Sequence, residues 1–555
     1  MNEVWRRRGV GAALIILLTF VAYIPAIHGG FVWDDESLIT DNRMVHASDG
    51  LYRFWFTTES PDYRPLTWSL WWLEWRLWGM DPIGYHVVNV LLHAINSVLM
   101  WIILRRLKIP GAWLAGLVFA VHPVNVATVA WISEQKNTLS MLLYAGAILW
   151  YLRFDEEGRW RWYGLSLAAF VLALLSKTAI IMVPFVLLGC VWWRHGRVRW
   201  KDFLSSVPYF VPSLMMGLVT IFQHQRVLAG AVVRTGGFAS RLAAAGWIPW
   251  FYLYKALLPV DLTSIYPKWE VDAFRWISYV PGLVLVGGFA LFWRERTTWG
   301  RPLLFGLGYF VVMLFPVLGF FDQRFYQLSL VADHWQYYAI IAPIALVVTA
   351  GERIGRGWGE QGRYWGAVLG VAVLMALGVA TWKRSCVYKS NETLWRDSLT
   401  KNPDAWMAHY NLGTALLHSG RLEEAIAPLE QAVRLSPGLT KAHSNLGIAL
   451  AQVGRVQEAV VQLEQAVQID PDLAEAHANL GHALMLAGRV PEAVRHWEQA
   501  LRLKPDWAEV HYDLGLASEQ MGKTEAAIEH YELALKFNPN MVDAQNRLAR
   551  LRAVQ

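Results

Sequence analysis

Long apolar segments, separated by short basic loops, occupy residues 1–385 of the 555-residue chain. About eleven of them reach the length that a helix needs to cross a bilayer. They lie at 9–27, 86–104, 111–130, 137–152, 163–176, 178–193, 204–222, 279–293, 303–321, 336–350 and 364–382. A further apolar stretch at 242–258 is predicted to be re-entrant or to lie on the membrane surface. The pattern predicts an all-α, polytopic membrane helical bundle over residues 1–385.

The basic loops set the orientation of these spans. They are Arg6–Arg8, Arg105–Lys108, Arg153–Arg161, Arg194–Lys201, Arg294–Arg301 and Arg353–Arg363. Because basic loops stay on the cytoplasmic side, all six share that side if 223–278 is an outer loop. An odd number of spans then places the C-terminal region outside. We expect a multi-pass protein of the bacterial inner membrane with a periplasmic C-terminal region, or of the endoplasmic reticulum with a luminal one.

From residue 403 the pattern changes to a repeat with a period of 34 residues. Columns of proline, glycine and alanine recur at this step, beginning with Pro403, Gly413 and Ala425. The period, with small residues where two helices cross, resembles the tetratricopeptide repeat. Four repeats cover 403–538, within a predicted domain 386–555 that includes a capping helix. Such helix pairs stack into an α-solenoid with a concave binding face.

Two polar columns run through the repeats. Histidine recurs at His409, His443, His477 and His511, and two positions later stand Asn411, Asn445, Asn479 and Asp513. An asparagine ladder on the concave face is predicted to bind the backbone of an extended polypeptide acceptor or partner protein. The alternative is ordinary repeat consensus. A metal role for the histidines is not expected, because successive repeats are too far apart to share an ion.

Composition narrows the class of protein. Hydrophobic residues make up 55% and charged residues 17% of the chain, and there are 31 tryptophans, which favour the membrane–water boundary. The net charge of +6 reflects the basic loops, and no basic stripe with interleaved aromatics indicates nucleic acid. Two cysteines, Cys190 and Cys386, provide neither a disulfide framework nor a thiolate metal site.

Three consecutive carboxylates, Asp34, Asp35 and Glu36, follow the first span and are expected at the outer face. Clustered carboxylates near lipid repel one another unless a cation, a hydrogen-bond donor or a reacting proton uses them. We therefore predict a catalytic role for these three acids. If a divalent cation binds, Asp34 and Asp35 are its predicted ligands. A solvated acidic loop is the alternative. Later in the same outer loop, 28–85, five tryptophans at helical spacing predict an aromatic face lying flat at the membrane surface.

Other polar groups are predicted at the outer face or within the spans. His86, Asn89 and His93 share one face of the second span. Together with His122, Asn125 and Glu134 they are predicted to line a cavity, and a satisfied interhelical network is the alternative. The predicted cations of the outer face are Arg64, Lys136, Lys177, Arg324 and His334. This set suits a phosphate-bearing ligand whose apolar tail lies in membrane lipid, although an ion pair at Arg64 or a tight turn at Lys177 would also explain those residues.

Four motifs, in their order along the chain, resemble those of a known family. They are Phe-Val-Trp-Asp-Asp-Glu at 31–36, Tyr-Arg-Pro-Leu at 63–66, Gly-Tyr-His-Val-Val-Asn-Val-Leu-Leu-His at 84–93 and Val-His-Pro-Val-Asn at 121–125. With the repeats, they resemble the transmembrane and tetratricopeptide-repeat O-mannosyltransferases, within the C-type glycosyltransferase superfamily. This resemblance implies a polyprenyl-phosphate sugar donor, for which mannose is the candidate sugar. It also implies acceptor-site acids at Asp34 and Asp35. Thr178-Ala179 and the segment 333–338 depart from the family pattern.

The resemblance and the residues together predict a transfer mechanism. A carboxylate removes the proton of a protein hydroxyl while the sugar–phosphate bond breaks, in one inverting displacement. Asp35 is the predicted base and Asp34 the alternative, with cations stabilising the leaving phosphate. Two other functions compete: an envelope polysaccharide ligase or O-oligosaccharyltransferase, and a non-enzymatic membrane scaffold that recruits partners through its repeats.

Overall fold

The computed structural model of the chain describes residues 2–227, 233 and 236–554. The side chains of the basic cluster Arg6–Arg8 and part of the predicted outer loop 223–278 lie outside this description. The described chain is entirely helical and contains no strand, which confirms the predicted all-α class. It divides into two compact units, Met1–Asn402 and Pro403–Gln555.

The described residues of the first unit form seventeen α-helices. They are α1 Asn2–Ile27, α2 Arg43–His46, α3 Gly50–Phe56, α4 Pro65–Trp78, α5 Pro82–Arg106, α6 Ala112–Ala120, α7 Val126–Val129, α8 Gln135–Glu157, α9 Trp160–Ser176, α10 Val183–His195, α11 Trp200–Val227, α12 Phe238–Leu257, α13 Val280–Arg294, α14 Gly300–Leu314, α15 Ile341–Gly357, α16 Gly359–Val387 and α17 Asn391–Lys401. Short helical turns at Glu36–Thr40, Ile132–Glu134, Thr178–Ile180 and Asp333–Gln336 lie between them. Most of the charged site residues lie in these turns or within two residues of them.

Local sequence explains where the helices begin and end. Asp81 caps α5 by accepting a hydrogen bond from the backbone N–H of Ile83 at 3.0 Å, and Pro82 occupies the first turn, where no N–H is needed. Gly158 and Gly196 end α8 and α10 in the left-handed region, which glycine adopts without a Cβ penalty.

Seven helices of the described chain are long and apolar enough to cross a membrane, and the bent pair Ala112–Ala120 and Pro123–Val129 would make an eighth. The seven are Gly9–Ile27, Pro82–Arg106, Thr178–His195, Trp200–Arg226, Trp276–Arg294, Gly300–Val317 and Gly359–Val387. The chain is therefore a multi-pass membrane protein. The count of about eleven spans stays a prediction.

The first outer loop is compact. Its helix α4 packs against the protein and differs in this from the predicted helix on the membrane surface. Trp68 and Trp71 of α4 are fully buried, and Glu74 on the same helix accepts a hydrogen bond from Gln135 Nε2 at 2.6 Å. Leu73 and Leu77 are the exposed apolar side chains of this helix. The aromatic face thus packs into the protein, because the neighbouring helices offer it the same apolar surroundings as lipid would.

The second unit contains the eight repeat helices and a final helix. They are α18 Trp406–His418, α19 Leu422–Leu435, α20 Thr440–Gln452, α21 Val456–Ile469, α22 Ala474–Leu486, α23 Val490–Leu503, α24 Ala508–Gln520, α25 Thr524–Phe537 and α26 Val542–Val554. A Cβ at Gly481 would lie 2.5 Å from the indole of Trp497 on the partner helix. The glycine column is therefore required by close helix crossing, and the predicted solenoid is confirmed.

Candidate active site in the membrane unit

A cavity of about 1140 Å³ opens within the first unit. At one end it is lined by basic side chains from four separate segments: Arg64, Lys136, Lys177 and His334. Burial lowers the pKa of His334 to about 4, so its ring is neutral near pH 7. Its other wall is apolar and comes mainly from α10, α11 and the end of α14, with Phe185, Phe210, Leu214, Leu218 and Phe315 among its side chains. The cavity therefore joins a positively charged end to an apolar surface.

Glu134 is the hub of the charged end. Its carboxylate lies 2.7 Å from Lys136 Nζ, 3.3 Å from Lys177 Nζ and 4.0 Å from His334 Nε2. The side-chain amide of Asn137 donates a further hydrogen bond to it. Burial alone would raise the pKa of Glu134, but Lys136, Lys177 and His334 together hold it well below its usual range. One ionised carboxylate thus holds two lysines. Burial lowers the pKa of Lys177 to about 7, with Glu134 opposing that effect.

Arg64 adds a guanidinium to the same cavity. It pairs with Asp62, with its Nε 2.7 Å from Asp62 Oδ1, so the predicted alternative of an ion pair is present together with the cavity position. Burial lowers the pKa of Arg64 to about 10, with Glu134 opposing that effect. Arg64 stays charged at neutral pH.

Backbone contacts hold the first loop over this cavity. Thr67 Oγ1 donates to the carbonyl of Ser176 at 2.9 Å, directly before Lys177. The N–H of Tyr63 donates to Gln223 Oε1 of α11 at 3.1 Å. The loop that carries Arg64 is therefore fixed to the ends of two membrane helices.

The predicted base, Asp35, is completely buried. Its Oδ2 accepts the N–H of Val32 at 2.9 Å, and its Oδ1 accepts the N–H of Ser133 at 2.6 Å. Burial raises the pKa of Asp35 to about 7, while these two N–H groups oppose the rise. Asp35 links the first loop to the turn that carries Glu134, and each of its oxygens already accepts a backbone N–H.

Asp34 and Glu36 occupy different environments. Asp34 is half-buried, and within the described chain its carboxylate makes no hydrogen bond or ion pair. Burial raises the pKa of Asp34, Lys136 opposes this and Glu134 adds to it. Glu36 is exposed and accepts a hydrogen bond from Asn391 Nδ2 at 2.8 Å. None of the three acids lines the cavity. Asp34 lies close enough to Lys136 and Glu134 for their charges to act on its pKa, whereas Glu36 is exposed and bonded to Asn391.

Asn391 and Trp395 are functional candidates that the sequence did not reveal. The Oδ1 of Asn391 accepts the backbone N–H of Trp33 at 2.8 Å. The ring of Trp33 stacks on Trp131 with centroids 4.8 Å apart and meets the edge of Trp395 at 4.9 Å. Trp33 has a φ of +54°, which these contacts stabilise. Helix α17 therefore holds the turn that presents Asp34.

Five of the six residues predicted to line the cavity lie in helix contacts instead, and Glu134 is the one that lines it. Asn89 Nδ2 donates to the carbonyls of Thr128 and Val129 at 3.0 and 2.9 Å. His93 and His122 bond to the carbonyls of Ala120 and Ala256, and Asn125 donates to that of Phe119. The ring of His86 packs against the backbone of Gly29. Four of these five side chains bond to backbone carbonyls at helix ends, which corresponds to the alternative of an interhelical network, whereas both ring nitrogens of His86 have no hydrogen-bond partner in the described chain.

Two further predictions concern Arg324 and a divalent metal ion. Arg324 is exposed at the start of the turn Arg324–Gln327 and does not line the cavity, although its charge lowers the pKa of Asp34. Among the described residues, no group of three His, Cys, Asp or Glu side chains is arranged to hold a metal. Binding of a divalent cation by Asp34 and Asp35 stays a prediction, and each oxygen of Asp35 already accepts a backbone N–H.

The polar columns of the repeats make contacts between and within repeats. Asn445 Nδ2 donates to Thr414 Oγ1 at 2.9 Å and Asn479 Nδ2 to Ser444 Oγ at 3.0 Å, in each case in the preceding repeat. Asp513 lies 2.6 Å from His482 Nε2. Asn411, first in the column, has a buried Nδ2 without a partner in the described chain. The side-chain amides of Asn445 and Asn479 therefore link adjacent repeats. Binding of a polypeptide acceptor by this column stays a prediction.

Comparison with known proteins adds a family context. The family model of dolichyl-phosphate-mannose-protein mannosyltransferases matches residues 64–224, which include Arg64, Glu134, Lys136 and Lys177. Tetratricopeptide-repeat models match 392–440, 449–488, 481–522 and 508–541. The chain is a relative of the transmembrane and tetratricopeptide-repeat O-mannosyltransferases.

Named relatives extend this similarity along the chain. Protein O-mannosyl-transferase F38B6.6 of Caenorhabditis elegans is 24% identical over 79% of this chain and 64% of its own length. Mouse TMTC4 is 24% identical over 76% of this chain and 65% of its own length. Drosophila Tmtc1 is 33% identical over 31% of this chain and 21% of its own. The chain thus spans less than two thirds of the length of these curated relatives.

Proposed function

We propose that the chain is a membrane glycosyltransferase that moves a sugar, mannose in the first instance, from a polyprenyl phosphate to a hydroxyl group of a protein. The observation that carries this proposal is the cavity of about 1140 Å³ with cations at one end and an apolar wall at the other. A polyprenyl-phosphate sugar has the matching chemistry, because it joins an anionic phosphate to a long apolar tail. The relatives named O-mannosyl-transferases support the reaction class.

The charged end would bind the phosphate and stabilise it as the leaving group. Lys136 and Lys177 are held by Glu134 at 2.7 and 3.3 Å, so their ammonium groups are positioned before the donor arrives. As the anomeric C–O bond to phosphate breaks, negative charge grows on the phosphate oxygens. Fixed cations that face this charge stabilise the transition state more than the ground state.

Asp34 would act as the base. A hydroxyl is a weak nucleophile, and a carboxylate that takes its proton as the new C–O bond forms speeds the reaction. Asp34 has a free carboxylate and a raised pKa, whereas both oxygens of Asp35 accept backbone N–H groups. In this proposal Asp35 positions the loop, and one displacement inverts the anomeric centre.

The repeats would bring the protein acceptor to the enzyme. In the proposed topology they lie outside the cytoplasm, in a bacterial periplasm or in the lumen of the endoplasmic reticulum, on the side where the acidic motif leaves the first span. Tetratricopeptide repeats are stacked helix pairs with an extended concave surface, which suits a polypeptide partner.

Transfer of radiolabelled mannose from polyprenyl-phosphate mannose to membrane proteins, in proteoliposomes of the purified full-length chain, tests the proposal. We expect Asp34→Asn to lower turnover by roughly 10²- to 10⁴-fold, with unchanged thermal stability. Asp35→Asn is expected to lower activity and thermal stability together, since an amide NH₂ would face a backbone N–H. Glu36→Gln serves as the matched control and should stay near wild type.

Two outcomes would contradict the proposal at different levels. Full activity in Asp34→Asn would place the base elsewhere and leave the donor site standing. No transfer by the wild type from any polyprenyl-phosphate sugar would remove the enzymatic function and favour a scaffold that acts through its repeats.

A further inference from the structure

A second, smaller cavity lies in the membrane unit, at the opposite end of α5 from the charged cluster. It has a volume of about 180 Å³ and is enclosed by apolar side chains of α5, α10, α14 and α15. They include Met100, Leu104, Val186, Phe305, Ala345 and Leu346. We call it the inner slot. Its walls suit a hydrocarbon chain and offer few polar partners.

Two cations stand at the rim of the inner slot. Lys108 follows α5 directly, and Arg353 lies near the end of α15. Both are exposed, and neither has an ion-pair partner in the described chain. The neighbouring carboxylate, Glu352, is taken by Arg356 at 3.0 Å. Both cations also belong to loops that the sequence places on the cytoplasmic side, where anionic lipid headgroups attract basic groups.

The slot is separate from the larger cavity. Its inner end is closed by Tyr144 and Tyr309, whose hydroxyls are 2.8 Å apart, and Tyr309 donates to the carbonyl of Tyr338 at 2.8 Å. Tyr338 lines the larger cavity from the other side. A layer of tyrosines therefore divides the two spaces.

Distance excludes one phosphate from serving both sites. Tyr85, in the first turn of α5, packs in the same cluster as Ile132, beside Glu134. From Tyr85 to Arg106, α5 then carries the chain about 32 Å toward Lys108, at about 1.5 Å per residue. An anion at Lys108 and Arg353 must therefore belong to a different molecule from one held by Lys136 and Lys177.

We propose that the inner slot binds one anionic phospholipid, with an acyl chain between the helices and the headgroup phosphate on Lys108 and Arg353. The acyl chain fills the gap where α5, α10, α14 and α15 do not meet. The two cations select an anionic headgroup over a zwitterionic one, since each basic group near the membrane surface favours it. This lipid site would exist whether or not the larger cavity performs sugar transfer.

Native mass spectrometry of the delipidated full-length chain, titrated with phosphatidylglycerol, phosphatidylcholine or polyprenyl phosphate, tests the proposal. We expect phosphatidylglycerol to bind roughly 25-fold more tightly than phosphatidylcholine, about 5-fold for each cation. The double variant Lys108→Gln, Arg353→Gln should lose this preference. Arg161→Gln, Arg197→Gln removes two cations from other basic loops and should retain it.

A variant that fills the slot separates the acyl chain from the headgroup. Ala345→Phe should abolish tight binding of phosphatidylglycerol, and the charge variants test the site independently if this variant does not fold. Equal binding of the two phospholipids by the wild type, or an unchanged preference in Lys108→Gln, Arg353→Gln, would overturn the proposal. So would polyprenyl phosphate displacing phosphatidylglycerol from the slot, because that would assign the slot to the tail of the donor.

Discussion

The two units of the chain use buried polar side chains in different ways. In the repeats, His443 bonds to the carbonyl of Pro437 at 3.0 Å and Asn479 to Ser444 at 3.0 Å, so these two groups are satisfied within the solenoid, whereas Asn411 Nδ2 has no partner in the described chain. In the membrane unit, Glu134 gathers two lysines and His334 beside an open cavity. Buried polar groups that are all satisfied specify architecture, whereas an excess of one charge around a cavity indicates a ligand.

Replacement of the central carboxylate should give the largest effect on stability. Glu134→Gln leaves Lys136 and Lys177 buried without a counter-charge, and we expect a loss of about 3 kcal/mol in the free energy of unfolding. Because a bound phosphate would replace the missing charge, polyprenyl phosphate should recover part of this loss. Thermal melting in detergent, with and without the lipid, measures both effects.

The matched control comes from the repeats. Glu458 pairs with Arg455 on the exposed surface of the solenoid at 2.6 Å, and Glu458→Gln should leave the melting temperature unchanged. If the two variants have the same melting temperature, Glu134 stabilises the fold no more than a surface carboxylate does. The contrast drawn between the two units would then be wrong.

Removal of a single cation tests the donor end of the cavity. Lys177→Ala should weaken donor binding by roughly 10- to 100-fold, as expected for the loss of a hydrogen bond to a charged group. The effect should appear in KM for the donor. Lys201→Ala, which removes an exposed lysine of α11, is the control. Equal donor KM values in both variants would place the phosphate away from Lys177.

The sequence predicted the repeat fold almost completely, because a period of 34 residues sets both the length and the crossing of each helix pair. It also predicted helices for the apolar segments of the membrane unit. It did not reveal which face of α4 is buried, since tryptophans at helical spacing suit both lipid and a protein neighbour. The burial of Trp68 and Trp71 depends on packing partners elsewhere in the chain.

The candidate site was predicted in composition but not in arrangement. Four of the five proposed phosphate-binding residues line one cavity, since each lies in a turn or at the end of a helix that borders it. The sequence could not separate Asp34 from Asp35, because the difference rests on hydrogen bonds from Val32 and the distant Ser133. Asn391 was missed because only the folded chain brings it next to Trp33.

Asn391 therefore offers a smaller and sharper test. Asn391→Ala removes the acceptor of the Trp33 N–H and the donor to Glu36. We expect kcat to fall roughly 10-fold, about the value of one or two hydrogen bonds, while donor KM stays unchanged. Glu36→Gln retains the contact of Asn391 with Trp33 and should keep wild-type kcat. A rise in donor KM, instead of a fall in kcat, would contradict a role in positioning Asp34.

The smallest expected effect concerns histidine pairs in the repeats. His477 Nδ1 lies 3.0 Å from His496 Nδ1, and His511 Nδ1 lies 3.4 Å from His530 Nδ1. Burial, and then the neighbouring histidine, lowers the pKa of His496 from its ordinary value of 6.5, and that of His530 is lowered in the same way. Protonation therefore opposes folding, so stability is full above pH 6.5 and falls as the pH drops below it.

The second repeat supplies the matched substitution. There Gln462 takes the place of His496 and lies 2.9 Å from His443 Nδ1, so His496→Gln with His530→Gln should keep the contacts and remove the titration. Hydrogen exchange of α22–α25 in the full-length chain, compared between about pH 5 and pH 7.5, measures the effect. Wild type should exchange faster at the lower pH after correction for intrinsic rates, and the double variant should not. The same pH dependence in both proteins would show that protonation of His496 and His530 does not change the stability of the repeats.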